Sequence, residues 1–189
     1  AGPSQNQIDS AYSNTNLEEK VVSNNGIQEW EVPANGRFRI RTFGAQGGHN
    51  GGHGTVMEGV FDLEIGTKLN ILVGQTGGTD GNYGQGGGGT FVATGSSYSS
   101  AEPLIISGGG GGERSGGINA TTYEDGVDVD GSRHGKRGND GNGGYSSTST
   151  AGGLAGGGFY SDGNSSGHSY GNGGTAFVNG GLGDDRNTQ

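Results

Sequence analysis

"PLIISGGGGGERSGG", residues 103–117, runs a short apolar segment straight into five consecutive glycines, Gly108, Gly109, Gly110, Gly111 and Gly112. A flexible linker has no need of an apolar anchor, yet this junction recurs along the chain. Glycine blocks follow most of the apolar runs: "GAQGGHNGGHG" at 44–54, "GQTGGTDGNYGQGGGG" at 74–89, "GNDGNGG" at 138–144, "AGGLAGGG" at 151–158 and "GNGG" at 171–174. Polyglycine can adopt a left-handed threefold extended helix, like polyproline II, whose bare backbone approaches its neighbours closely enough to hydrogen-bond. A bundle of such helices satisfies its donors and acceptors laterally, which helps offset the entropy of ordering glycine. Each strand is therefore expected to anchor one end of a glycine helix so that several pack side by side.

The runs that deliver these blocks have strand character. "IQEWEVP" (27–33) and "GRFRIRTF" (36–43) alternate apolar with polar residues, and Phe38, Ile40 and Thr42 oppose Arg37, Arg39 and Arg41. Period two with one charged face predicts half-buried antiparallel strands. Asn35-Gly36 between them predicts a hairpin turn. "TVMEGVFDLE", a turn at Gly66, "KLNILVGQ", "GTFVATG" and "PLIIS" follow, with "TAFVNGG" at 175–181 as a final candidate strand. Helix signals are nearly absent. Residues 1–25 read as a polar arm with a small apolar cluster, Leu17, Val21 and Val22, and residues 26–189 as the glycine-rich β domain.

Composition bounds the partners. With 48 glycines and 26% hydrophobic residues, the 189-residue chain supports a small conventional core beside a large glycine annex. A net charge of −9 argues against nucleic acid, whose phosphates require clustered Lys and Arg. Zero cysteines remove disulfides, so backbone hydrogen bonding and burial must hold the fold. No run of about 20 apolar residues predicts a membrane span, and the sequence opens without a basic, apolar leader. Asn119 and Asn164 begin Asn-x-Ser/Thr acceptors, candidates for glycosylation in a secreted chain.

"GAQGG" after an amphipathic strand, then "GVFDLEIGTKLNILVGQTGG", "GGGGTFVATG" and "PLIISGGGGGERSGG", resemble the glycine-rich domain of the anaplastic lymphoma kinase and leukocyte tyrosine kinase receptors and of related secreted glycine-rich proteins. The resemblance covers about residues 27–183. It implies a mainly β fold with very little α-helix, an antiparallel jelly-roll-like sandwich or barrel carrying a polyglycine II bundle. The receptor domains carry disulfides, which this cysteine-free chain lacks, and no ligand-contacting residue carries over.

Catalytic patterns fail on context. Residues 84–89 satisfy the G-x-G-x-x-G spacing of phosphate loops, but a strand pattern follows them where a helix is required. Ser165, in "GNSSG" beside His168, matches a nucleophile elbow without the buried strand and helix that an elbow needs. His49 and His53 have a metal-compatible helical spacing in a segment too rich in glycine for helix. "YEDGVDVDGS" gathers Glu124, Asp125, Asp128 and Asp130, a candidate calcium loop whose alternative is a solvated acidic loop balanced by Arg133, His134, Lys136 and Arg137. Tyr83, Tyr98, Tyr123, Tyr145, Phe159, Tyr160 and Tyr170 punctuate the glycine-rich part, as covers for the bundle or as a sugar- or partner-stacking surface.

Together these features predict a non-enzymatic extracellular structural or adhesive protein that self-assembles into a fibre or matrix. Residues 16–22 would complete the sheet of a neighbouring copy. The alternative is a binding module, receptor-like or glycan-binding.

Overall fold

The computed structural model describes residues 2–80, 83–112, 117–128, 137–145, 155–164 and 173–183. Its described elements are α1 (Gln5–Tyr12), β1 (Val21–Asn24), β2 (Ile27–Glu31), β3 (Gly36–Phe43), β4 (Val56–Leu63), β5 (Lys68–Leu72), the short pair β6 (Thr79–Asp80) and β7 (Tyr83–Gly84), β8 (Thr90–Thr94) and β9 (Glu102–Ser107). The fold is mainly β and antiparallel. A five-stranded sheet runs β1-β2-β5-β8-β9, and β3 pairs only with β4 in a two-stranded ribbon. The described sheets do not close into a barrel: β1 and β9 remain edges.

The expected Asn35-Gly36 hairpin is corrected by this topology. β2 and β3 lie in different sheets, and the segment between them crosses from one to the other. Val32 turns toward residues 66–67, donating to the Thr67 carbonyl at 2.9 Å while its own carbonyl accepts from Gly66 N–H. Asn35 Oδ1 accepts from Ile65 N–H at 2.7 Å, tying the crossing to the Gly66 turn. The hairpin lies instead at Asn25-Gly26, between β1 and β2, where both residues take positive φ, 53° and 88°.

Strict alternation gives the central sheet two buried faces. Leu69, Val92 and Ile105 join Val32 and Leu63 in one cluster under the ribbon, with Trp30, Phe38 and Ile40 packed against it. Trp30 meets Phe38 edge to face at 6.1 Å. Ile27, Leu72 and Ala93 point the other way, into a second cluster closed by Phe159 and Phe177, whose rings stack at 4.9 Å. A register shift between Val92 and Ala93 leaves Leu104 unpaired in β9, so Leu104 and Ile105 both contribute to the ribbon side. Neither cluster contains a residue of 1–25.

Phe177 reaches the core from a single 3-10 turn (Phe177–Asn179), where a strand was expected from "TAFVNGG". The competing interactions are local. Asp162 Oδ1 accepts from Ala176 N–H and from Asn179 Nδ2, Phe177 N–H is taken by the Gly158 carbonyl, and Gly180 and Gly181 follow at φ 106° and 59°. Backbone donors used this way are unavailable to a ladder.

The glycine blocks are extended and bonded to one another. Gly110 N–H donates to Ala45 O, Ala45 N–H to Gly88 O, and Gly87 N–H to Gly110 O, a closed triangle of three segments at 2.8–3.0 Å. Segment 44–48 also bonds to residues 52, 55, 77 and 85, more neighbours than a flat sheet allows a strand. A Cβ on Gly110 would fall on the Gly52 carbonyl oxygen, and one on Gly109 on that of Gly87. A second set joins residues 141–144, 155–158, 161–164 and 173–175 in the same lateral manner.

Candidate assembly groove

The ribbon has two strands and the sheet beneath it five, so β3 and β4 lie over β8 and β9 and cover the β5-β2-β1 end only in part. The result is an open groove of about 350 Å³. Its floor is apolar: Trp30, Leu69, Ile71 and Val21. Phe38 and Ile40 form one wall under the free edge of β3, where Arg39 and Arg41 also line the groove. Tyr12 and Leu17 form the other.

That second wall belongs to the N-terminal arm, whose local structure is more ordered than a polar arm predicts. Ser4 caps α1 in a reciprocal box: its side chain accepts from Gln7 N–H, and Gln7 Oε1 accepts from Ser4 N–H at 2.8 Å. α1 then guards the outer edge of β1. Gln5 Oε1 accepts from Ser23 N–H at 2.7 Å and Gln5 Nε2 donates to Val21 O at 3.2 Å, so one side-chain amide replaces a ladder partner. Tyr12 Oη donates to Gln28 Oε1 at 2.8 Å, and Asn25 Nδ2 donates to Tyr98 Oη at 3.3 Å.

Of the assembly residues read from sequence, Leu17 and Val21 meet in the groove, whereas Val22 points to the opposite face and is exposed. β1 pairs with β2 of its own chain through four residue pairs, Val21↔Trp30 to Asn24↔Ile27. Three residues gather on the far face of that ladder: Glu29 accepts from Asn24 Nδ2 at 2.8 Å and from Lys68 Nζ at 3.1 Å. Burial raises the Glu29 pKa, but these two hydrogen bonds and the Lys68 charge outweigh it and hold the carboxyl below its usual range. Sequence reading missed this triad because its members come from three strands.

The other candidates separate. Arg137 occupies the space between Asp125 and Asp128, at 3.6 and 3.9 Å, and its N–H donates to Asp128 Oδ1. Glu124 is exposed, and Asp130, Arg133, His134 and Lys136 lie outside the described residues. Among the described residues no group of three His, Cys, Asp or Glu converges for a metal. His49 and His53 anchor to different partners, their N–H groups donating to Thr79 Oγ1 and Asn119 Oδ1. Residues 84–89 lead into β8 and not into a helix; Ser165 and His168 are outside the described residues. Asn119 and Asn164 are exposed. Gly108 to Gly112 lie in the first glycine bundle. Phe159 is core, Tyr160 packs on it edge to face, and Tyr123 is 81% exposed. No described helix is long and apolar enough to cross a membrane.

No protein-family profile matches the chain. Over 86 residues it is 36% identical to the leukocyte tyrosine kinase receptor of Mus musculus, a stretch amounting to 41% of this chain and 10% of that receptor. The chain thus spans about a tenth of the length of the curated relative it matches, a distant resemblance to that receptor family.

Proposed function

We propose that this is a non-enzymatic extracellular structural or adhesive protein whose copies join into a fibre or matrix by exchanging their N-terminal arms. The observation that carries the reading is the division of the core: both hydrophobic clusters are built without residues 1–25, while the arm is held by one four-pair ladder, a few side-chain bonds and the burial of Ile8 and Val21. Opening the Asn25-Gly26 turn frees the arm and leaves a folded body with a bare β2 edge. An identical arm from a neighbour remakes every bond that was broken, so exchange costs little beyond hinge and association entropy.

Charge favours the same partner. The chain carries −9 overall, and of the three arginines on β3, Arg37 and Arg41 pair with Asp62 and Glu58 of β4 at 3.4 and 3.8 Å. The acidic Glu18 and Glu19 of an incoming arm would complement Arg39 at the groove and compete with Glu58 for Arg41. We read the lateral glycine segments as polyglycine II helices and the sandwich as a jelly-roll variant, a stiff spacer suited to a fibre. Glycans at Asn119 and Asn164 fit the exposed setting of both residues, and a calcium ion at the Asp125–Asp128 loop would have to compete with Arg137. The similarity to a receptor favours a second reading, a monomeric module that captures a protein or glycan ligand.

Electron microscopy of native material, with light scattering in parallel, separates the two. Regular filaments or large assemblies are expected; a monodisperse monomer at all concentrations would reject assembly in favour of ligand capture.

A further inference from the structure

We propose that the groove beside β3 is a strand-addition site, which binds an extended segment of a partner protein whose residues alternate between apolar and acidic. The ladder of the ribbon shows which backbone groups are on offer. Gly44 N–H donates to Thr55 O at 2.8 Å, continuing the register in which Phe43 faces Val56. Bonded pairs in an antiparallel ladder recur at every second residue, so Thr42, Ile40 and Phe38 turn their N–H and C=O groups to β4. Arg37, Arg39, Arg41 and Phe43 turn theirs to the free edge. The Phe43 carbonyl fixes this phase independently, because it accepts from Thr90 Oγ1 at 2.6 Å and not from β4. The backbone of Arg37, Arg39 and Arg41 thus forms an open ladder over an apolar floor, along which Trp30, Phe38, Ile40 and Ile71 are only half-buried.

A strand laid along that edge presents alternate side chains to two environments. Inward ones enter the groove of about 350 Å³, against Trp30, Leu69 and Ile71. Outward ones stand beside the arginines. Arg37 and Arg41 already have carboxylates on β4, but Arg39 faces Val60 and has no acidic partner among the described residues. An acidic outward residue next to Arg39 supplies one. Folded edges of a second copy do not fit. β3 against β3 would set arginines opposite arginines, and the inner face of β4, with Met57, Phe61 and Leu63, is already packed on its own sheet. The occupant must therefore be an extended segment with its apolar face still free. This site goes beyond arm exchange, since an arm pairs with β2, whether it is the chain's own or a neighbour's. Strand addition displaces the contact that Arg39 offers to Glu18 and Glu19 of an incoming arm and leaves the β1–β2 ladder intact.

Fluorescence titration of the full chain tests the site, with Trp30, the single tryptophan, as reporter on the groove floor. The probes are three synthetic peptides of equal length: valine alternating with glutamate, valine alternating with lysine, and the first composition rearranged into an apolar block and an acidic block. The last keeps charge and hydrophobicity but loses period two. A saturable change in Trp30 emission is expected with the first peptide alone. Arg39→Ala should weaken it about threefold, and Arg39→Glu, which turns attraction into repulsion, roughly tenfold while admitting the lysine peptide. Arg39→Pro also removes an N–H that points away from β4; the ribbon should stay folded by circular dichroism, and binding should fall below that of Arg39→Ala. Equal binding of the alternating and block peptides, equal binding of the acidic and basic ones, or no change in Trp30 emission with any of them would overturn the proposal. Displacement of the acidic peptide by a free peptide of residues 1–25 would overturn a separate partner and assign the edge to a neighbour's arm. A chain that stays monomeric and still binds the acidic peptide would refute arm exchange and support this site.

Discussion

Gly110→Ala is the substitution that most sharply tests the glycine bundle. Gly110 is buried, and a Cβ there would fall on the carbonyl of Gly52 and crowd the carbonyl carbon of His53. The obstacle is backbone on every side, so relief requires moving a segment and not a rotamer. Overpacking of this kind costs about 1–3 kcal/mol. Moving the segment also breaks the triangle in which Gly110 donates to Ala45 and accepts from Gly87, and each buried backbone group left unpaired adds about 1–3 kcal/mol. A total of about 4 kcal/mol is expected. With a urea slope of about 2 kcal/mol/M, the unfolding midpoint should fall by roughly 2 M. Trp30, the single tryptophan, lies between sheet and ribbon and reports the transition by fluorescence. Gly156→Ala is the matched control. No atom lies within 4 Å of its Cβ position, and restricting the unfolded chain should leave stability unchanged or raised by about 0.5 kcal/mol. Equal midpoints for Gly110→Ala and the wild type would refute the close packing of backbones from which the bundle is argued.

Two further outcomes follow from single residues. Gly26→Ala burdens the positive φ of the β1–β2 turn and drives a Cβ onto Gly2, so it should loosen the closed arm and raise the fraction of assembled material in size-exclusion chromatography. A lower assembled fraction would contradict the hinge assignment. Asp162 is held below the usual carboxylate range first by the Ala176 N–H and then by the Asn179 amide, against weak desolvation. Its contribution to stability is therefore full above the unfolded-state pKa and lost as pH falls through the lower folded-state value. Asp162→Asn should flatten the acid limb of thermal stability between those two values and leave neutral pH less affected; an unchanged acid limb would show that the carboxylate does not anchor the Phe177 turn.

Four strands of the central sheet, β2, β5, β8 and β9, were legible because their chemistry is local, whereas β1 was read as part of the arm. "KLNILVGQ" announces a short strand after the Gly66 turn, and the Arg37, Arg39, Arg41 alternation announces a half-buried one with a charged outer side. Which strands pair was not legible. Asn35-Gly36 and Asn25-Gly26 carry the same turn signal, and only the Val32 contacts with residues 66–67 decide that the former crosses between sheets. α1 could have been found: Ser4-Gln5-Asn6-Gln7 is a capping box, obscured by the low apolar content of the helix it starts. Phe177 was correctly apolar but wrongly extended, because the Asp162 hydrogen bonds that curl it come from fourteen residues away. The groove was invisible for a deeper reason. It is a mismatch between five strands and two, a property of the assembled sheets that no segment carries alone.

The most direct test of the assembly account compares the full chain with a chain lacking residues 1–25, each sized by light scattering with circular dichroism to monitor folding. The account predicts filaments or large assemblies from the full chain and a folded monomer from the truncated one. Assemblies of equal size from both, or a full chain that remains monomeric at every concentration, would contradict it.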